Sequence, residues 1–490
     1  MLGYLRRLAT TGAAYQAADV LSRVFAVITL PLYTRYLTPS DYGVAETLVA
    51  GVVLLSIPLR LGLSDAFVRF WYLDDDAARR GDVLRASFVA VAVISTVVCG
   101  VAVFFCGPLS ELVLGFRDAT VMAFALLGLW AFANLEVVKG VLRVEERWRA
   151  FMAATIGNVL LTVALTIVLV VVRHDGATGL VAGNFVASAV ALLAMWVFLR
   201  RQLGLRFERA QLHRLLRWGW PTVPADASVF ALNVVDRAYL LRVESARAAG
   251  LYALSVKLAS VVIIAVRGFQ YAWPPLAYSV TDDEEASKLY GLVTTWFVVV
   301  TGFVVCGVTL LGRWVVRLLA EPKFYDTYQA LPWVALGWAL YGLFLVFVVV
   351  AGRLQLTARN VPAAVGGLAI NVVLLVVLVP PLGIAGAGLA LCGAYAFMLL
   401  MLWLLTRDRF RVAFERGRLV RVVVALGVPT VAAELLLPTS GVAGFLSRAA
   451  VCAVLPLLLA ASGFLSAEER AWLRRVRRRR PGVVAHDATS

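Results

Sequence analysis

The chain alternates long apolar blocks with short polar connectors. A helix needs roughly 20 apolar residues to cross a hydrocarbon layer. Blocks of that length fall at 8–33, 43–64, 83–107, 119–141, 150–172, 178–199, 215–241, 247–270, 288–311, 327–351, 361–380, 383–405, 419–438 and 442–464. The pattern predicts an all-α integral membrane protein with about fourteen transmembrane helices. Pro429, Glu434, Pro438 and Arg448 interrupt the last pair, so twelve spans followed by a re-entrant or interfacial pair is the alternative.

Composition agrees with this reading. The 490 residues are 61% hydrophobic and 16% charged, with a mean hydropathy of +0.86, whereas soluble domains carry about 25% charged residues. The first block holds Gln16, Asp19 and Arg23 and leads into further spans, which reads as a helix rather than a cleaved leader. The basic residues set orientation. Their densest runs, RRQLGLRFERAQLHR at 200–214, RDRFRVAFERGR at 407–418 and ERAWLRRVRRRR at 469–480, flank spans on one side. By the positive-inside rule both termini are expected in the cytoplasm of a bacterial cell, at the inner membrane. The net charge of +16 then calls for anionic membrane lipids as a partner and for no nucleic acid.

Enzyme chemistry finds little support. His174, His213 and His486 have no metal-ligand spacing, and the five cysteines have no paired spacing, so they read as small buried apolar residues. There is no phosphate-cradling glycine loop. DDDAARRGD at 74–82 could suggest a metal or sugar-transfer site, but it reads better as a helix start, as does DDEE at 282–285. Neither an enzyme activity nor a cofactor is expected.

Ionisable groups inside spans are costly and mark function or pairing. They gather on the first, seventh and eighth spans. Asp19 and Arg23 share a helix face, as do Asn233 and Arg237, while Asp236 points about 100° away from Arg237. Arg23 and Arg237 fit either a structural ion pair between helices or the cationic wall of a cavity for an anionic substrate, which a guanidinium fork suits. Lys257 invites neutralisation by Asp236, snorkelling or membership of the same cavity. Asn134, Asn158, Asn184, Asn233 and Asn371 are explained at least as well by helix-to-helix hydrogen bonds.

The halves also echo one another. SDYGVAETLVAGVVLL at 40–55 answers RAAGLYALSVKLASVV at 247–262, which puts Gly43 and Gly250 in register, and Asn158 answers Asn371. The expected organisation is a six-helix lobe at 1–200, a basic connector at 201–214, a second six-helix lobe at 215–406, a basic connector with an extra helix pair at 407–465 and a basic tail at 466–490. Two such repeats suit alternating access. Pro31, Pro221 and Pro224 mark candidate broken helices.

LSRVFAVITLPLYTRYLTPSDYGVAET at 21–47, supported by NVVDRAYLLRVESARAAGLYALSVKLA at 233–259, resembles the polysaccharide flippase family. That family belongs to the superfamily that also holds multidrug extrusion transporters and lipid II flippases. The resemblance implies two six-helix bundles around a V-shaped central cavity, plus two C-terminal helices. It implies transport of an undecaprenyl-diphosphate-linked oligosaccharide from the cytoplasmic to the periplasmic leaflet for surface polysaccharide export. Arg23, Arg237, Lys257 and Asn233 become the substrate-cavity candidates. Asp19, Glu46 and Asp236 are candidates for coupling to a proton or sodium gradient. The partners implied are the polyprenyl-diphosphate-linked glycan, a polysaccharide polymerase and export machinery. A cation-coupled multidrug efflux transporter and a lipid II flippase are the alternatives.

Overall fold

In hydrocarbon every backbone N–H and C=O must be satisfied within the protein, which leaves so apolar a chain little but helix. The computed structural model describes residues 21–464, apart from 23, 74, 75 and 205–207. Among the described residues all regular elements are helical. In chain order they are α1 (Leu30–Tyr36), α2 (Pro39–Leu59), α3 (Leu63–Leu73), α4 (Ala77–Val103), α5 (Cys106–Leu114), α6 (Ala119–Val144), α7 (Trp148–Thr166) and α8 (Gly176–Leu199). There follow α9 (Arg209–Gly219), α10 (Val223–Ala231), α11 (Val235–Tyr239), α12 (Ala246–Ser279), α13 (Asp283–Leu319), α14 (Leu331–Arg353), α15 (Asn360–Thr406), α16 (Arg416–Leu436) and α17 (Gly441–Ala461). Eleven helical stretches among the described residues are long and apolar enough to cross a membrane, and the chain is an all-α, multi-pass membrane protein.

Two departures from simple spans have local causes. The apolar block at 215–241 is divided among α9, a 3-10 turn at Trp220–Thr222, α10, α11 and a π turn at Leu240–Glu244. Pro221 and Pro224 remove backbone donors where the division begins. The second departure is α15, whose 47 residues would reach about 70 Å if straight. Pro380, Pro381 and Gly383, at φ 55° and ψ −133°, break it. Beyond the break, Gly386 lies against the Leu378 carbonyl and Gly367 against Met398. The stretch therefore folds back into two antiparallel arms that match the blocks at 361–380 and 383–405.

The contacts group the described residues into two compact units, one within 1–278 and 312–411, the other within 279–311 and 412–490. In the second unit, Val299 and Cys306 of α13, Val422 and Leu426 of α16, Leu455 and Leu459 of α17, and Phe464 form a buried core. At 21 residues each, α16 and α17 are about 31 Å long, enough for a crossing. Arg448, expected as an interruption, is fully buried. Its guanidinium pairs with the Glu434 carboxylate and donates to the carbonyls of Pro438 at 3.1 Å and Leu437 at 3.2 Å. It thereby satisfies acceptors that the end of α16 would otherwise leave open.

In the first unit, small and polar residues set the helix contacts, as expected where burial against lipid supplies no drive. Asn134 of α6 donates to Ser95 of α4 at 2.8 Å, and the Trp130 indole to Thr96 at 3.0 Å. The acidic clusters of both units behave as helix starts: Asp76 in the first accepts from the Ala78 amide, and Asp282 in the second from the Glu285 amide.

The start of α2 is fixed most firmly. Thr38 and Asp41 form a reciprocal capping box, with Pro39 in the first turn, an arrangement that satisfies two otherwise open donors. One turn later Gly43 meets Gly250 of α12, so the two glycines that the sequence places in register touch. A Cβ on Gly43 would run into the Ala246 carbonyl and the Gly250 amide, and one on Gly250 into the Pro39 carbonyl. Gly43→Ala and Gly250→Ala are each expected to destabilise by about 1–3 kcal/mol through overpacking, outweighing a helix-propensity gain of at most about 1 kcal/mol. Gly51→Ala, where a Cβ meets open space, is the control and should be neutral or mildly stabilising. Thermal unfolding of purified protein checks all three, and wild-type melting of Gly43→Ala would show that the close approach imposes no constraint.

Candidate functional site

Because the backbones of α2 and α12 touch at Gly43 and Gly250, longer side chains one and two turns further along are brought within reach. Glu46 follows Gly43 by one turn, and Lys257 follows Gly250 by two, so each lies on the contacting face. Lys257 Nζ donates to Glu46 Oε1 at 2.6 Å and stands 5.3 Å from the centre of the Tyr42 ring. Arg237, on the short helix α11, approaches from another side. Its Nη1 lies 3.8 Å from Glu46 Oε2 and donates to the Glu46 backbone carbonyl at 3.4 Å. One carboxylate thus serves two cations. The cluster is not sealed: the side chains of Glu46, Arg237 and Lys257 keep 15%, 11% and 23% of their accessible surface.

Asp236 turns the other way. It is buried and accepts from the Tyr252 hydroxyl at 2.6 Å. The two arms of α15 bring Asn371 and Tyr395, both fully buried, to the same region, with Asn371 facing the Asp236 carboxylate and Tyr395 facing Asn233. Trp338 and Tyr341 of α14 pack on the Tyr395 ring, with centroids 6.0 and 5.2 Å away. Polar capacity here is incompletely used. Asp236 Oδ1, both amide atoms of Asn371, the Tyr395 hydroxyl and, on the neighbouring cluster, Arg237 Nε are buried with no partner at close hydrogen-bond distance, although Asn371 stands near Asp236 and Asn233 near Tyr395. Buried polar atoms are rarely left so, and those that are call for an explanation.

The seven candidates therefore fall into groups. Arg237, Lys257 and Glu46 form the ion cluster. Asp236 and Asn233 belong to the adjoining pocket, where Asn233 Nδ2 donates back to the Val229 carbonyl at 3.4 Å. Asp19 and Arg23 lie outside the described residues. Lys257 pairs with Glu46, a partner the sequence did not suggest, and not with Asp236. Sequence reasoning also passed over Tyr42, Tyr252, Trp338, Tyr341 and Tyr395, since aromatic residues in apolar spans read as packing. The available signal was the phenol itself, because a buried hydroxyl needs a partner. Among the described residues no cluster of His, Cys, Asp or Glu is arranged to hold a metal ion.

The chain was compared with known proteins. The family model of polysaccharide biosynthesis proteins matches residues 10–276. No curated protein matches the chain. Among solved structures, the chain is similar to the lipid II flippase MurJ in an inward closed conformation, at 13% identity and a TM-score of 0.74, covering 94% of this chain and 99% of that one. It is similar to a multidrug resistance transporter of the MATE family in an inward-facing conformation, at 16% identity and a TM-score of 0.66, covering 79% and 94%. A third similar structure is a MOP-superfamily transporter from Pyrococcus furiosus, described by the reverse polarity of its binding pocket, at 16% identity and a TM-score of 0.57, covering 82% and 94%. Since the family match takes in more than half of the chain, the chain belongs to the polysaccharide biosynthesis protein family, and it shares its fold with a lipid II flippase and with multidrug transporters.

Proposed function

We propose that this chain is a flippase that carries a polyprenyl-diphosphate-linked glycan across the bacterial inner membrane by alternating access. The observation that supports it best is the sharing of one carboxylate, Glu46, by two cations, Arg237 and Lys257, within the membrane-spanning part of a chain from this family. Burying a diphosphate's charges needs compensating cations and hydrogen bonds, and an arginine supplies both. Arg23 joins this set on the family resemblance alone. With the N-terminus in the cytoplasm, as the basic connectors favour, α2 and α12 start at the periplasmic surface and the cluster lies in the periplasmic half. The lobes at 1–200 and 215–406 would rock about this region, moving the headgroup outward while the polyprenyl tail stays in lipid.

Two glycans compete within this class. The family's description favours a surface-polysaccharide unit, delivered to a polymerase and export machinery. The solved structures support the alternatives, lipid II transport and cation-coupled multidrug efflux, more directly. The cation-rich cluster weighs against efflux of cationic drugs, since like charges in a binding site repel. Depleting the protein and identifying what accumulates separates the three. A sugar-linked polyprenyl diphosphate of a surface polymer, lipid II, or neither with broadened drug sensitivity are the respective outcomes. Arg237→Ala and Lys257→Ala should insert normally yet each lower glycan translocation at least tenfold, the scale of about 1.4 kcal/mol in transition-state stabilisation; normal export in both variants would remove the site from the mechanism.

Asp236 is the best placed of the coupling candidates Asp19, Glu46 and Asp236, because it is buried beside the Asn371 amide with no partner at close hydrogen-bond distance on Oδ1. A proton or sodium ion would complete those bonds. In proteoliposomes, Asp236→Asn should leave transport no longer accelerated by an imposed proton or sodium gradient. Gradient-driven transport at the wild-type rate would exclude Asp236 from coupling.

A further inference from the structure

The ion cluster has an unequal geometry. Lys257 holds Glu46 closely, at 2.6 Å, while Arg237 meets the same carboxylate at only 3.8 Å and leaves its Nε buried and unpartnered. A guanidinium is best satisfied by two parallel bonds to one oxyanion. A single carboxylate on α2 cannot provide these for Arg237 while it is drawn to Lys257. Two linked phosphates could, one at each cation. We infer that Glu46 is a built-in occupant of the anion site, displaced when a diphosphate headgroup binds, and that it thereby selects for ligands with two linked phosphates. The inference rests on the functional reading above and adds a residue that reading does not use for binding.

The exchange has a mechanical consequence. Glu46 belongs to α2, whereas Lys257 and Arg237 belong to α12 and α11, so the carboxylate ties these helices together beside the Gly43–Gly250 contact. A phosphate that takes its place satisfies the cations while removing the carboxylate's hold on α2, leaving only the 3.4 Å bond from Arg237 to the Glu46 carbonyl. Occupancy by the headgroup and release of the α2 tie become one event. Selectivity follows too: an uncharged lipid has nothing with which to displace Glu46, and a monophosphate reaches one cation at a time. A ligand can shift a conformational equilibrium only by its difference in affinity for the two states, and this competition supplies such a difference.

The test measures binding of geranylgeranyl diphosphate, geranylgeranyl monophosphate, geranylgeraniol and inorganic pyrophosphate to full-length protein in nanodiscs. Wild type should bind the lipid diphosphate in preference to the monophosphate and the alcohol. Glu46→Gln should bind the diphosphate roughly tenfold more tightly or better, the scale on which a close charge pair couples. Adding Lys257→Met to Glu46→Gln should cancel the gain. Should Glu46→Gln fail to fold, Glu46→Asp, which draws the carboxylate back by one methylene, carries the test with a gain in the same direction of about threefold. Equal or weaker diphosphate binding by the Glu46 variant, with wild type binding normally, overturns the inference and leaves the functional reading standing. Failure of wild type to bind any diphosphate overturns both. Inorganic pyrophosphate binding as tightly as the lipid keeps the exchange and makes the ligand a free anion.

Discussion

The contact between α2 and α12 organises the first unit's interior. Gly43 and Gly250 remove the side chains that would separate the backbones, and only at that separation can Glu46 reach Lys257 at 2.6 Å. The dependence runs both ways. Interhelical hydrogen bonds in membranes are worth about 0.6–2 kcal/mol, whereas stripping one partner from a buried ion pair costs about 3–5 kcal/mol. The Asn134–Ser95 and Trp130–Thr96 bonds therefore fasten neighbouring helices, while the ion cluster offsets the cost of holding Arg237 and Lys257 inside the apolar part.

Asp236 and Arg237 are adjacent in sequence, and helix geometry sends them about 100° apart. Arg237 goes to the α2 cluster and Asp236 to the pocket lined by Tyr252 and the arms of α15. A short α11, bounded by a turn on one side and the π turn at Leu240–Glu244 on the other, can rotate as a unit more readily than a long helix. Rotation that improves one set of contacts must loosen the other. That opposition gives the ion cluster and the Asp236 pocket a physical way to affect each other, through a single backbone segment.

The fold was more legible in the sequence than the site. The boundary between the blocks at 361–380 and 383–405 marks the turn between the arms of α15, and Pro221 with Pro224 announce the break ahead of α10, because prolines act on their own backbone. Asp76 and Asp282 were readable as helix starts for the same reason. Arg448 was readable as a charge in an apolar block but not as a clasp, since its acceptors are carbonyls that exist only once α16 ends at Leu436. The register of Gly43 with Gly250 was visible as equivalence, yet equivalence does not say that the two touch. The partner of Lys257 was hidden furthest: Glu46 is 211 residues away, and periodicity carries no information at that range. Asp236 was nearer in sequence and a reasonable partner, but its carboxylate is claimed by Tyr252.

A cluster of two cations around one carboxylate also limits what this part of the protein can recognise. Charge and phosphate geometry can be read by Lys257, Arg237 and Glu46, whereas sugars differ mainly in the placement of neutral hydroxyls, which these side chains cannot discriminate strongly. Discrimination between hydroxyl patterns requires fixed donors and acceptors that would be left unpaired by the wrong sugar. On the proposed reading, the ion cluster is suited to the diphosphate common to such lipid-linked glycans, and a preference for one glycan would come from other surfaces. The same argument is consistent with one fold being shared by a lipid II flippase and multidrug transporters, since function resides in a few side chains placed on a common scaffold.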